Sequence, residues 1–254
     1  MAESADRPAH RLFSDLGKRV LRPGGRALTD RLIDHLDPRS GEDIVEFAPG
    51  TGATAERLLA RDPGTYRGID LDSATVADLR DRLGGPNQSF MIGHAAETGF
   101  DRSTADVCVT EAMLTMQSDA GVTAIVEEAE RLLRPGGRYG FHELAVRDGV
   151  PAERQERIAA DLEAALGVPA RPRTESDWIE TVEREGFDIE WTGRAPMALL
   201  DPRRLVADEG LLGALTFGAT LLRDGDARRR VRSIRATFHE HDDALVAVAA
   251  VGRA

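Results

Sequence analysis

Between residues 43 and 144 short β-branched runs and helix-period segments take turns, and that alternation limits the fold more than any other feature. Asp43-Ile44-Val45-Glu46-Phe47-Ala48 reads as a strand running into a Pro-Gly turn. Residues 53–61 follow with Ala55, Leu58 and Leu59 at helical spacing, ending at Asp62-Pro63-Gly64. Tyr66 to Ile69 read as a second strand, residues 73–83 as a helix stopped by Gly84-Gly85-Pro86, Ser89 to Ile92 as a third strand and Asp106 to Thr110 as a fourth. Over 119–133, Val122, Ile125, Val126, Ala129, Leu132 and Leu133 keep the spacing of one buried helical face. After Arg134-Pro135-Gly136-Gly137, Arg138 to Leu144 read as a fifth strand. Strands and helices in this order predict an α/β fold whose mostly parallel sheet is covered on both faces.

Outside that unit helices dominate. Residues 8–20 and 26–36 read as a helical lead-in, residues 151–166 and Asp177 to Glu185 as helices, and 202–222 and 226–239 as two more. Phe187 to Thr192 and Ala244 to Val251 bring the strands to seven. No long linker interrupts the chain, so the expectation is a single domain over 1–254. It divides into a lead-in (1–40), a core (41–145) and a C-terminal half (146–254) with a helical cap inserted at 202–239.

Composition removes several classes of function. The 254 residues carry 33 basic and 44 acidic side chains, a net charge of −11 that disfavours nucleic-acid backbones and anionic membranes as partners. One cysteine, Cys108, rules out an intramolecular disulfide framework and a cysteine-cluster metal site. No three acids or histidines fall at metal-ligand spacing, so no metal is expected. Met1 to His10 is polar and lacks the apolar run of a secretory signal, and no apolar stretch reaches the ~20 residues of a membrane span. The expected location is cytoplasmic.

The chemistry concentrates where strands end. Glu46-Phe47-Ala48-Pro49-Gly50-Thr51-Gly52 puts glycines between a strand and the amides opening a helix, so backbone can approach a ligand closely. Asp70, 18 residues after Gly52, stands where an acid accepts both ribose hydroxyls of a nucleoside-containing cofactor. Asp70 as a simple helix N-cap is the plainer reading, although Asp72 or Ser73 would serve there equally well. Gly50-Thr51-Gly52-Ala53-Thr54-Ala55 also satisfies a dinucleotide fingerprint, so spacing leaves NAD(P) open as the ligand.

Other segments narrow the choice. Val45 to Gly52, Gly68-Ile69-Asp70-Leu71-Asp72, Gly93-His94-Ala95-Ala96-Glu97-Thr98-Gly99-Phe100, Asp106-Val107-Cys108-Val109-Thr110-Glu111-Ala112 and Leu132-Leu133-Arg134-Pro135-Gly136-Gly137-Arg138 follow one another in order. Together they resemble the motifs of class I S-adenosylmethionine-dependent methyltransferases, nearest the small-molecule group that includes the ubiquinone/menaquinone-biosynthesis type. The resemblance implies a Rossmann-like, doubly wound sheet and S-adenosyl-L-methionine as cofactor. It implies that Glu46, Ala48, Pro49, Gly50, Thr51 and Gly52 hold the methionine portion. Asp70 then takes the ribose, Leu71 packs on adenine, and the Ala95 amide meets the adenine edge. His94 stands where the group usually has Asp to accept from the adenine amino group. Glu111 and Ala112 border the reactive methyl, and Arg22, Gly24 and Gly25, in a Pro-Gly-Gly turn before a helix, suit the cofactor carboxylate.

Methyl transfer from a sulfonium is an in-line displacement in which alignment does most of the work. A general base is needed for an acceptor such as a phenol or alcohol, and His142 and Glu143, at the end of the fifth strand, are the candidates. As strand neighbours they point to opposite faces. The apolar residues at 202–239 suggest a small, partly apolar methyl acceptor beneath a cap, or a homodimer joined there. Two other readings stand beside this one: an NAD(P)-dependent oxidoreductase, disfavoured because Lys18 is the sole lysine and no Tyr-x-x-x-Lys pair exists, and a cofactor-binding protein without catalysis.

Overall fold

The β-branched run at Asp43–Phe47 forms β1, and the segments after it alternate as the sequence pattern requires. The computed structural model describes Ala9, Phe13, residues 22–197 and residues 224–254. In chain order the elements are α1 (Gly25–Leu36), β1, α2 (Ala55–Leu59), β2 (Thr65–Asp70), α3 (Ser73–Leu83), β3 (Gln88–Ile92) and β4 (Ala105–Glu111). After a 3₁₀ turn at Leu114–Met116 come α4 (Asp119–Leu132), β5 (Leu133–Val146), α5 (Ala152–Leu166), β6 (Arg173–Thr174), α6 (Glu175–Arg184), β7 (Asp188–Pro196), α7 (Gly225–Glu240) and β8 (Leu245–Arg253).

The strands join in one sheet of order β3-β2-β1-β4-β5-β8-β7, with the two-residue β6 beside the end of β5. β1 to β5 run parallel, and β8 lies antiparallel between β5 and β7. This is the Rossmann-like sheet the motifs imply; among the described residues the short β6 makes eight strands where the sequence pattern gives seven. Chain order reverses between β1 and β4, and the carboxyl ends of strands at such a reversal open a crevice for a ligand.

Successive strand residues feed two cores. Val45, Phe47, Cys108, Tyr139 and Phe141 pack against α4 and α6, while Ile44, Val107 and Val109 pack against α1, α2 and α3. Gly140 in β5 lets α1 settle closely, because a Cβ there would lie 2.6 Å from Leu36 Cδ1.

Two expectations need correction. The fifth strand runs Leu133–Val146, beyond Arg138 to Leu144 at both ends. Leu133 already pairs with Ala105 and Arg138 with Val107, so Arg134 to Gly137 bulge out of a continuing strand instead of standing before it. Arg22-Pro23-Gly24-Gly25, the same four residue types in the same order, instead opens α1, with Gly24 left-handed at φ 70° as the N-cap. The helix expected at 53–61 is only Ala55–Leu59. Ala9 and Phe13 are helical, but the rest of the helix at 8–20 and the whole helix at 202–222 lie outside the described residues. Among the described residues no helix is long and apolar enough to cross a membrane.

Candidate functional site

At the end of β1 the chain turns through three left-handed residues, Ala48 (φ 52°), Gly50 (φ 53°) and Gly52 (φ 78°). The turn is tied down from both sides. The Ala48 amide donates to the Ile69 carbonyl at 2.7 Å, and the Gly52 amide to the Pro49 carbonyl at 2.9 Å. Gly52 also permits a close approach, since a Cβ there would meet Leu79 Cδ2 at 2.6 Å. Ala48 has no such freedom, and a left-handed non-glycine residue costs of the order of 1–2 kcal/mol.

Asp70 ends β2 against this turn. Its Oδ2 accepts from the Gly50 amide at 3.3 Å and its Oδ1 from the Asp72 amide at 2.9 Å. The N-cap of α3 is Asp72, whose carboxylate accepts from the Ala74 amide. Asp70 is therefore not the helix cap. Beside it, Leu71 and Ile92 stand 66% and 57% exposed, the two large apolar side chains left in solvent at the ends of β2 and β3. Ile92 was not singled out from the sequence, because an isoleucine ending a strand looks like any core residue.

Ala95 is buried at the same edge and His94 is exposed. His94 Nδ1 accepts from the Ala96 amide at 3.1 Å. In the neutral ring Nε2 then carries the proton and donates, so the hydrogen-bond acceptor expected of His94 is already engaged within its own loop.

Beneath the turn lies a buried polar cluster drawn from five parts of the chain. The guanidinium of Arg22 donates to Glu111, Thr29 and Thr54, and the Arg22–Glu111 pair is a salt bridge. Thr29 donates to Glu111 Oε1 at 2.7 Å, and Thr54, at the N-cap of α2, donates to Oε2. His142 Nδ1 lies 2.8 Å from Glu111 Oε1. Burial alone would raise the Glu111 pKa, but the Arg22 charge and the His142 and Thr54 contacts outweigh it and hold the carboxyl down at about 2. Arg22 thus faces a carboxylate of the protein itself, where the sequence pointed to an anion of the cofactor. Thr29 and Thr54 carry no sequence signal, since they meet only through tertiary contact.

Glu46, in β1, is buried and accepts from the Tyr66 hydroxyl at 2.6 Å. Burial pushes its pKa up to about 8, with the nearby Glu111 charge adding to the rise and the Tyr66 contact opposing it.

His142 and Glu143 are both fully buried and belong to different surroundings. Glu143 accepts from the amides of Met113, Leu114 and Thr115 at 2.8, 2.7 and 3.2 Å and from the Thr115 hydroxyl at 2.7 Å. Those bonds anchor the turn that follows Ala112, itself left-handed at φ 54°. A carboxylate so occupied has little left to offer a substrate, so this geometry suits an anchor and not a base. Burial raises its pKa. Among the described residues no three histidines, cysteines or acids gather to hold a metal ion.

Comparison with known proteins gives this geometry a context. Residues 44–137 match a family described as a methyltransferase domain. An uncharacterized protein of Haemophilus influenzae is 26% identical over 94% of this chain and 95% of its own length. The ubiquinone/menaquinone biosynthesis C-methyltransferase of Paracoccus denitrificans is 32% identical over 51% of this chain and 56% of its own. The chain spans about half the length of the named methyltransferases it matches. Among solved structures, phosphoethanolamine N-methyltransferase 2 of Haemonchus contortus, in complex with S-adenosyl-L-methionine, superposes with a TM-score of 0.72. That match covers 96% of this chain and 55% of the other at 15% identity, and is a likeness of fold.

Proposed function

We propose that this chain is a class I S-adenosylmethionine-dependent methyltransferase and that it methylates a small, partly apolar molecule. The observation that carries the reading is the meeting of the left-handed turn at Ala48 to Gly52 with Asp70, at the carboxyl ends of strands flanking the order reversal. The residues present fit the cofactor: an acid that caps no helix, an open backbone turn and two exposed apolar side chains lie together.

In this reading Asp70 accepts from the ribose hydroxyls and Leu71, with Ile92, covers the adenine. Ala95 flanks the base, and Gly50, Thr51 and Gly52 leave room for the methionine portion beside Pro49. Glu46, protonated below about pH 8, gains a proton-free partner role once a cationic amine lies near it. When bound, the sulfonium supplies an activated methyl group, so the protein's own task is positioning. Glu111, Ala112 and the Glu143-anchored turn shape the place where the acceptor meets that methyl. Gly24 and Gly25 start α1 beside the cluster, and Arg22 reaches it through Glu111.

The acceptor's apolar character rests on the residues between 202 and 222, which lie outside the described part, as does the suggested dimer contact. The single-domain division of 1–254 and a cytoplasmic location belong to the same proposal. The test is to incubate the protein with methyl-labelled S-adenosylmethionine and, separately, a small-molecule extract, bulk nucleic acid and bulk protein. Label in the low-mass fraction supports the reading. Label only in macromolecules overturns it.

A further inference from the structure

We propose that Glu111 and His142 act as a pair on the acceptor: Glu111 fixes the ring so that Nε2 carries a lone pair, and Nε2 takes the proton of a phenolic or enolic hydroxyl as it is methylated. This rests on the methyl-transfer reading above and names the class of acceptor for the same site.

The first support is an unmet atom. His142 is fully buried, and its Nε2 has no hydrogen-bond partner among the described residues. Buried polar groups are nearly always satisfied, and an exception asks what meets it. The second is the tautomer. Glu111 is held ionised by Arg22, His142 and Thr54 and can only accept, so Nδ1 must bear the N–H that spans the 2.8 Å to Oε1. A neutral ring then has its lone pair on Nε2, on the far side from Glu111.

The third is place. Glu111 and His142 are directly paired residues at the carboxyl ends of β4 and β5. Thr54, which closes the glycine turn, touches the same carboxylate. The pair is therefore continuous with the cofactor cradle. Of the charged and titratable groups around the ring, Glu111 touches it, Arg22 pairs with Glu111, and Glu46 is near enough to feel the charges of both. β8 presents only Ala249 at the paired position.

The step balances. The acceptor O–H breaks and its proton goes to Nε2, the new bond forms between acceptor and methyl carbon, and the sulfur–methyl bond breaks to leave a neutral thioether. The imidazolium carries the positive charge the sulfonium brought. A tertiary amine needs no such proton acceptor, whereas a neutral hydroxyl does.

The test uses the full chain with ¹⁵N-labelled histidine. Calorimetry with S-adenosylhomocysteine comes first, and absence of binding would count against the methyltransferase reading itself, separately from the pair. On the loaded protein, two-bond ¹H–¹⁵N spectra should show His142 protonated at Nδ1 and bare at Nε2. Glu111→Gln should move it toward the other tautomer. Titration with phenol, catechol or acetylacetone should shift the Nε2 resonance toward its protonated position. Turnover of any of these should fall at least 100-fold in kcat in His142→Gln, with the affinity for S-adenosylmethionine unchanged. An Nε2-protonated ring, an Nε2 resonance indifferent to all three hydroxyl probes, or methylation of dimethylglycine alone at a rate unaltered in His142→Gln would overturn the proposal. The spectra are read on the unmutated protein, so a variant that fails to fold does not decide the outcome.

Discussion

His142 and Glu111 face each other across the carboxyl ends of β5 and β4, with Nδ1 of the ring 2.8 Å from Oε1 of the carboxylate. Around that contact Arg22, Thr29 and Thr54 fill the remaining acceptor positions of Glu111. The same carboxylate therefore links the turn before α1, the glycine turn after β1 and the end of β5. Its neighbour along β5, Glu143, does different work on the opposite face of the sheet.

Glu143→Ala should destabilise the protein by about 3 kcal/mol, since it strands buried amides of Met113, Leu114 and Thr115 that now donate to the carboxylate. Urea unfolding followed by far-ultraviolet dichroism measures this. A midpoint that does not fall would show that the anchoring role is misassigned.

Ala48→Gly should raise stability by about 1 kcal/mol, because φ is 52° and glycine meets no Cβ penalty there. For a chain of this size that corresponds to a melting temperature higher by about 2–4 °C. Scanning calorimetry should find the rise, and a drop would show that the methyl group packs better than the backbone angle suggests.

Glu46 gives the fold a pH dependence whose sign is fixed. Its folded pKa, about 8, lies above the ordinary 4.5, so the folded state holds a proton the unfolded chain gives up between those values. Stability from this group is full below about pH 4.5 and is lost as pH rises toward 8. Glu46→Gln should therefore gain on the unmutated protein between pH 5 and pH 8, by at least about 1 kcal/mol. Glu111 acts in the other sense. Its pKa of about 2 lies below 4.5, so its contribution is present above that value and lost as pH falls toward 2. Paired urea titrations at the two pH values test the Glu46 slope, and equal changes at both would contradict it.

Much of the architecture was written in local pattern, and the exceptions have physical reasons. Residues 73–83 form α3 with the bounds the sequence suggested, because Asp72 caps the start and Gly84 follows the end. The bounds of β5 were misread because Pro-Gly-Gly usually breaks a strand, and here tertiary pairing with β4 carries the strand past it. Asp70 could be picked out as the residue that does not cap the next helix, since Asp72 was available for that task. The cluster at Glu111 was legible only in pieces. Arg22, Glu111 and His142 were each noticed, but residues 22, 29, 54, 111 and 142 share no spacing, and only the folded sheet brings them together. His94 shows the same limit: its Nδ1 accepts from the Ala96 amide of its own loop, a contact no motif records.

The central claim is that the turn at Ala48 to Gly52 and Asp70 form an adenosyl-sulfur cofactor site. The most direct measurement is isothermal titration of the protein and of Asp70→Ala with S-adenosylmethionine, S-adenosylhomocysteine and NAD(P)H in parallel. The account expects both adenosyl-sulfur ligands to bind, Asp70→Ala to weaken them about 10- to 100-fold through loss of hydrogen bonds to a charged group, and NAD(P)H to give no heat of binding. Binding of NAD(P)H alone, or adenosyl-sulfur affinity unchanged in Asp70→Ala, would contradict it.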